Sequence, residues 1–155
     1  MFNFRAGLIE RLIKQNHQVV VIAPNEDYRN KLEQLGCCFE RVDFQTRGTN
    51  LAKEMLVIRH YRMLFKRIKP DVVFNFTVKP VIYGSLAAQV SGVKQYFALI
   101  TGLGFTFTEE FIDKRRLLYN FIRFLYKVGL RRARKIFFQN PDDEALFHKL
   151  GIVNR

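Results

Sequence analysis

Hydrophobic residues along the chain follow two spacings, one typical of helices and one typical of strands. Apolar positions three and four residues apart predict a helix over 3–15, whereas continuous or alternating apolar runs predict strands over 19–23 and 38–44. The same reasoning predicts further strands over 72–74, 96–100 and 135–138, each followed by a helical pattern. Regular alternation of helix and strand with short connections predicts an α/β fold, with a Rossmann-like parallel sheet and helices on both faces.

This order begins with a helix, although folds of this kind normally open with a strand. The loop after that opening strand usually carries the first ligand-binding turn. We therefore expect that the first strand is missing from this sequence, and that the end at Arg155 is also a cut.

The segment 70–84 contains a strand, a turn and the start of a helix. Thr77 follows the apolar strand, Pro80 suits the first turn of a helix, and Lys79 stands between them. A hydroxyl, a lysine and free helix amides at the carboxyl edge of a parallel strand can together bind an anion. The alternative is an ordinary connection with a solvated lysine.

A glycine-containing loop directly follows the next predicted strand. It consists of Thr101, Gly102, Leu103 and Gly104. The two glycines would let the backbone approach a ligand closely, while the alternative is a tight turn without a ligand.

The charge of the chain is unusually positive. Twenty-six Lys and Arg residues against fourteen Asp and Glu give a formal net charge of +12. This excess predicts attraction to polyanions such as nucleic acid, anionic lipid or diphosphates. No apolar run is long enough to cross a bilayer, so no membrane span is predicted.

Nine basic residues lie between Lys114 and Lys135, a segment that includes a predicted amphipathic helix over 117–129. Its apolar stripe could pack on the sheet, or it could enter a membrane interface while arginines meet anionic headgroups. The stripe consists of Leu117, Phe121, Phe124 and Val128, with Leu118, Ile122 and Leu125 beside them, and we expect most of it to lie in the core. The expected membrane-facing residues are Phe111, Ile112, Arg115, Arg116, Arg123 and Lys127. A solvated basic face is the alternative.

Several other kinds of site are not predicted. The adjacent Cys37 and Cys38 could not easily bridge each other and lack companions for a metal site. The three histidines are far apart without a nucleophile signature, and the dinucleotide fingerprint G-x-G-x-x-G is absent. No cofactor is therefore expected.

Four segments in order resemble the N-terminal half of family 4 glycosyltransferases of the two-domain GT-B type. They are NFRAGLIERLIKQNHQVVVIAP, FNFTVKPVIYGSLAA, ITGLGFTF and IFFQNPDDEALF. The likeness is strongest to the bacterial branch that extends polyprenyl-diphosphate-linked oligosaccharides. It implies retaining transfer of a hexosyl or N-acetylhexosaminyl group from a nucleotide sugar to a lipid-linked glycan, in surface polysaccharide or glycan synthesis.

The resemblance also implies how this chain would contribute. Residues 1–155 would be one acceptor-binding domain, and the C-terminal nucleotide-sugar domain would be absent, so that the fragment alone would be inactive. Thr77 and Lys79 match the family's strand-end motif, and residues 101–104 match its interdomain loop. Asn140, Asp142 and Asp143 match the segment after the last strand, where the carboxylates suit a helix N-terminus.

The implied partners are a lipid-linked sugar acceptor, a nucleotide sugar through the absent domain only, and an anionic membrane surface. The implied location is cytoplasmic, at the inner face of the cytoplasmic membrane. Two alternatives remain, a truncated inactive relic and a basic nucleic-acid-binding α/β domain. No helix-turn-helix, zinc-finger or RNA-recognition motif supports the second, so nucleic acid is not an expected partner.

Overall fold

The structure, a computed structural model, describes residues 2–43, 51–103, 107 and 115–154. The chain forms two compact units, Met1–Gly48 and Thr49–Arg155. Each unit contains a parallel sheet with helices, which confirms the predicted α/β class.

The first unit is built around a two-stranded parallel sheet. Its elements are α1 (Phe2–Lys14), β1 (Val20–Ala23), α2 (Arg29–Gln34) and β2 (Cys38–Arg41). Val20 lies opposite Cys38 in the register. The buried core of this unit is formed by Ile9, Leu32, Cys37 and Phe39. Cys38, by contrast, is exposed, so only one of the two cysteines is a core residue.

The second unit contains a three-stranded parallel sheet in the order β3-β4-β5. Its elements are α3 (Leu51–Ile68), β3 (Val72–Phe76), a π-helical turn (Pro80–Gly84), α4 (Ser85–Ser91), β4 (Gln95–Ile100), α5 (Arg116–Leu130), β5 (Lys135–Phe138) and α6 (Pro141–Lys149). Residues aligned across the sheet include Phe74 with Phe97 and Ala98 with Ile136.

The two faces of this sheet have different surroundings. Right-handed connections between consecutive parallel strands place α4 and α5 on the same face. On that face Tyr96, Ala98 and Ile100 of β4 are only 1–2% exposed. On the other face Phe74 stacks on Phe97 with ring centroids 4.8 Å apart, but it keeps 46% of its surface exposed.

Most predicted elements appear within a few residues of the expected bounds, with two differences. β3 extends beyond the apolar run and includes Asn75, because this polar side chain has a partner inside the unit. The helix after Pro80 begins as a π-helical turn before α4 continues it. The polar stretch 45–50 contains a glycine and is predicted from the sequence to be a loop, but it lies outside the described residues.

Candidate functional site

The carboxyl ends of β3 and β4 lie side by side. Phe76, the last residue of β3, is aligned with Leu99 near the end of β4. Thr77 and Lys79 on one connection, and residues 101–103 on the other, therefore leave the same edge of the sheet. All five are half-buried, whereas Gly104 lies outside the described residues. The structure thus brings the predicted site residues that it describes to one sheet edge.

Thr77 has an unusual backbone conformation at this edge. Its φ is +67°, a left-handed value that is costly for a β-branched side chain. The Thr77 carbonyl accepts a hydrogen bond from the backbone N–H of Val81 at 3.0 Å, which joins the residue to the following helical turn. Backbone strain of this kind is concentrated at ligand sites and switch regions.

A buried asparagine fixes the turn beneath Thr77. Asn75 is 4% exposed, and its Nδ2 donates a hydrogen bond to Ser85 Oγ at 3.1 Å. A Cβ atom at Gly84 would overlap the Asn75 amide, so only glycine lets the helix approach β3 this closely. A polar residue directly after an apolar run is the sequence signal for Asn75, but that signal predicts the end of the strand rather than a buried partner.

Lys79 forms a largely buried ion pair instead of extending into solvent. Its Nζ lies 2.5 Å from Oε1 of Glu54 on α3, and each side chain is only 15% exposed. Burial, together with the neighbouring Glu54 carboxylate, raises the pKa of Tyr83 well above its usual range. An anion bound by Lys79 would therefore meet a lysine whose charge is already balanced. Glu54 is a site residue that the sequence analysis missed.

The segment after β5 forms the N-terminus of α6. Asn140 caps α6, and its side chain accepts a hydrogen bond from the backbone N–H of Asp142 at 3.0 Å. Asp142 and Asp143 occupy the first turn, where carboxylates stabilise the helix dipole. The expected first-turn role of the aspartates agrees with this geometry, but the cap itself is Asn140.

Helix α5 buries only part of the apolar stripe expected to lie in the core. Its buried side consists of Tyr119, Ile122, Tyr126, Gly129 and Leu130. Leu117, Phe121 and Phe124, which the sequence analysis places in the core, are 87%, 39% and 58% exposed. The physical reason is aromatic packing, because Tyr126 and Phe147 meet edge to face with ring centroids 5.2 Å apart.

The predicted membrane-facing cations are also on the surface of this region. Arg115, Arg116 and Lys127 are exposed and Arg123 is half-buried, whereas Phe111 and Ile112 lie outside the described residues. In the described part of the chain, no helix is long and apolar enough to cross a membrane. Within the same residues, no group of three His, Cys, Asp or Glu side chains could hold a metal ion.

Comparisons with known proteins agree with this architecture. A family model described as "Glycosyl transferase 4-like" matches residues 2–140. The chain is also 27% identical over 155 residues to a Campylobacter jejuni protein named N,N'-diacetylbacillosaminyl-diphospho-undecaprenol alpha-1,3-N-acetylgalactosaminyltransferase. That match covers 98% of this chain and 40% of the relative, so the chain spans less than half of the relative's length.

Proposed function

Because the chain belongs to the glycosyl transferase 4-like family, we propose that it forms the acceptor-binding part of a retaining glycosyltransferase. The transferred group would be a hexosyl or N-acetylhexosaminyl group, moved from a nucleotide sugar to a lipid-linked glycan. Support comes from the relative, whose name describes sugar transfer to a diphospho-undecaprenol carrier. The nucleotide sugar would bind to a second domain, corresponding to the part of the relative's length that this chain does not match.

The observation that carries this proposal is the sheet edge where β3 and β4 end. We assign Thr77, Lys79, Thr101, Gly102, Leu103 and Gly104 to the acceptor site. Gly102 has a φ of +142° and open space where a side chain would be, which suits close approach of a diphosphate or sugar. Ligands of open α/β sheets bind outside the carboxyl ends of the strands.

Lys79 would contribute the positive charge of this site, with Glu54 holding its ammonium group in place. The Glu54 carboxylate limits the attraction of the pair for an anion, while the short contact keeps Lys79 at the sheet edge. A diphosphate carries more negative charge than one carboxylate, so it would compete with Glu54 for the lysine.

The acceptor site also requires a location where lipid-linked sugars occur. We assign Arg115, Arg116, Arg123 and Lys127 to contact with an anionic membrane surface, at the inner face of the cytoplasmic membrane. Each Lys or Arg held near such a surface contributes about 1 kcal/mol of attraction, so four cations together would favour peripheral binding.

The test is direct binding of a polyprenyl-diphosphate-linked N-acetylhexosamine, in detergent micelles, to the purified chain. Removing Lys79 alone would leave the Glu54 carboxylate unpaired and partly buried, which would confuse loss of fold with loss of binding. The informative pair is therefore Glu54→Gln and the double variant Glu54→Gln with Lys79→Met. Both lack the carboxylate, and they differ only in the cation.

We expect Glu54→Gln to bind at least as tightly as the wild-type chain, because a competing anion is gone. The double variant should bind about 10–100-fold more weakly than Glu54→Gln, the usual effect of removing one charged hydrogen bond. Equal affinities of the two variants would contradict the role of Lys79. The same lipid without diphosphate serves as the control for adsorption to the micelle.

A further inference from the structure

Helix α5 has two apolar surfaces, of which only one is used by the fold. The buried surface packs on the π-helical turn, where a Cβ atom at Gly129 would lie 3.2 Å from the carbonyl oxygen of Ile82. Gln89 Nε2 donates hydrogen bonds to the carbonyls of Val128 and Gly129, both at 2.9 Å. These contacts hold the helix against α4 and the turn, so its rotation about its own axis is determined.

The second surface is the exposed apolar stripe of α5, which comprises Leu117, Phe121 and Phe124. These residues are spaced by four and three positions, so they lie on one side of the helix. Their exposed fractions are 87%, 39% and 58%. A rise of 1.5 Å per residue makes this stripe roughly 10 Å long and parallel to the helix axis.

A basic stripe lies directly beside the exposed apolar stripe. It comprises Arg116, Arg123 and Lys127, spaced by seven and four positions on the adjoining side of the helix. Within the described part of the chain, none of these three cations forms an ion pair. Their charge is therefore available to an external partner.

The local sequence is free of negative charge. Residues 114–141 contain no Asp or Glu. The basic residues in this segment are Lys114, Arg115, Arg116, Arg123, Lys127, Arg131, Arg132, Arg134 and Lys135. An apolar stripe bordered on one side by cations, in a segment without acidic residues, matches the surface of an anionic bilayer, where acyl chains lie beneath phosphate groups.

We propose that α5 lies in the interface of an anionic membrane, with its axis parallel to the membrane plane. Leu117, Phe121 and Phe124 insert below the headgroups, while Arg116, Arg123 and Lys127 contact lipid phosphates. This proposal extends the membrane location given above from adsorption of cations to insertion of named apolar side chains. It rests on the proposed function only for its biological purpose, since binding to vesicles needs no lipid-linked sugar.

The first experiment is flotation of the purified chain with vesicles of phosphatidylethanolamine and phosphatidylglycerol, and with vesicles of phosphatidylcholine alone. The test variant is the double substitution Leu117→Ser with Phe124→Ser. The matched control is Val72→Ser, because Val72 is 43% exposed on the sheet face opposite α5. Circular dichroism and the urea midpoint of each variant establish that the fold is retained.

We expect the wild-type chain to float with the anionic vesicles and much less with phosphatidylcholine. The double serine variant should partition at least about tenfold more weakly, because two apolar side chains no longer enter the bilayer. Val72→Ser should behave like the wild-type chain. Unchanged flotation of the double serine variant would overturn the proposal and reduce the interaction to surface adsorption.

The charge component needs variants with equal net charge. Arg116→Glu with Lys127→Glu changes the net charge by −4, as does Lys94→Glu with Lys149→Glu, which alters exposed lysines outside α5. Only the Arg116→Glu and Lys127→Glu pair should abolish flotation at low salt, because each of its substitutions should lower the affinity for anionic vesicles about fivefold or more. Equal losses in both pairs would show that net charge, rather than α5, governs binding, and would overturn the assignment.

Insertion depth can be measured directly because the chain contains no tryptophan. The Phe121→Trp variant should show blue-shifted emission and quenching by brominated acyl chains when anionic vesicles are added, whereas the Val72→Trp variant should show neither. Solvent-like tryptophan emission from the vesicle-bound Phe121→Trp variant would overturn insertion. Self-association without lipid that disappears in the double serine variant would also overturn the proposal, in favour of contact between copies.

Discussion

At the scale of single residues, the close packing of the π-helical turn on β3 depends on the absence of a side chain at Gly84. Gly84 is buried, and the position of its missing Cβ is occupied by the amide of Asn75. The Asn75 side chain cannot move away freely, because it is 4% exposed and bonded to Ser85. The geometry of the connection that carries Thr77 and Lys79 therefore depends on this contact.

We expect Gly84→Ala to lower the free energy of unfolding by about 1–3 kcal/mol, the usual cost of overpacking a buried position. The matched control is Gly7→Ala in α1, where an added Cβ meets nothing within 4 Å. That change should be neutral or stabilise by up to about 1 kcal/mol, since alanine favours helix over glycine. Urea unfolding of both variants measures the difference, and equal effects would contradict the proposed contact.

The ion pair of Lys79 shows what sequence reasoning could not supply at this scale. A lysine between a strand and a helix start is visible in the sequence, and its place at the sheet edge follows from the parallel register. Its partner Glu54 lies 25 residues earlier on another helix. Nothing in the local pattern around Glu54 distinguishes it from a solvated helix residue, because the pairing is created only when α3 packs beside the π-helical turn.

At the scale of elements, α5 again shows a feature that depends on contacts between residues distant in sequence. The sequence shows a helix with apolar residues around more than half of its circumference and cations on the remainder. Periodicity predicts such a helix well, but it does not determine which apolar side faces the core. The choice is made by partners distant in sequence, namely Gln89, Tyr96 and Phe147. Part of the expected core stripe, namely Leu117, Phe121 and Phe124, is therefore exposed, whereas Ile122 is buried as expected.

The end of α5 is held by a buried tyrosine. The hydroxyl of Tyr96 donates a hydrogen bond to the Gly129 carbonyl at 3.0 Å, and Gln89 donates to the same oxygen. Burial raises the pKa of Tyr96 from 10.0 to about 12. Between these values the unfolded chain loses the tyrosine proton while the folded chain keeps it, so stability falls as pH rises.

We expect Tyr96→Phe to cost about 1 kcal/mol of unfolding free energy at pH 9, because Gln89 still satisfies the carbonyl. The wild-type chain should then lose about 1.4 kcal/mol per pH unit through Tyr96 above pH 10, a loss that phenylalanine avoids. The two proteins should become equally stable near pH 11. Urea unfolding at pH 9, 10 and 11 gives the comparison, and a constant difference would contradict the proton linkage.

At the scale of the whole molecule, the chain is divided into two units of unequal construction. In Thr49–Arg155 the central strand β4 has a partner on each side and an almost fully buried face. In Met1–Gly48 the sheet has two strands, and every residue of β1 is only half-buried. Two-stranded sheets gain little from pairing alone, and a unit of this size buries a smaller fraction of its surface than a larger one does.

Native-state hydrogen exchange should separate the two units. Two backbone amides at strand ends can be compared. The Cys38 N–H donates a hydrogen bond to the Val19 carbonyl at 2.9 Å, and the Arg134 N–H donates one to the Tyr96 carbonyl at 2.8 Å. We expect the Cys38 amide to open at least about tenfold more often than the Arg134 amide, which corresponds to a difference of about 1.4 kcal/mol in the free energy of opening.

A variant makes this comparison decisive. Gly84→Ala strains only the larger unit, so it should speed exchange at Arg134 and leave exchange at Cys38 unchanged if the smaller unit opens by itself. Equal acceleration of both amides would show that they exchange through one global unfolding step. In that case the two-stranded sheet would open no more readily than the three-stranded one, and the weak pairing of β1 with β2 would not set the stability of the smaller unit.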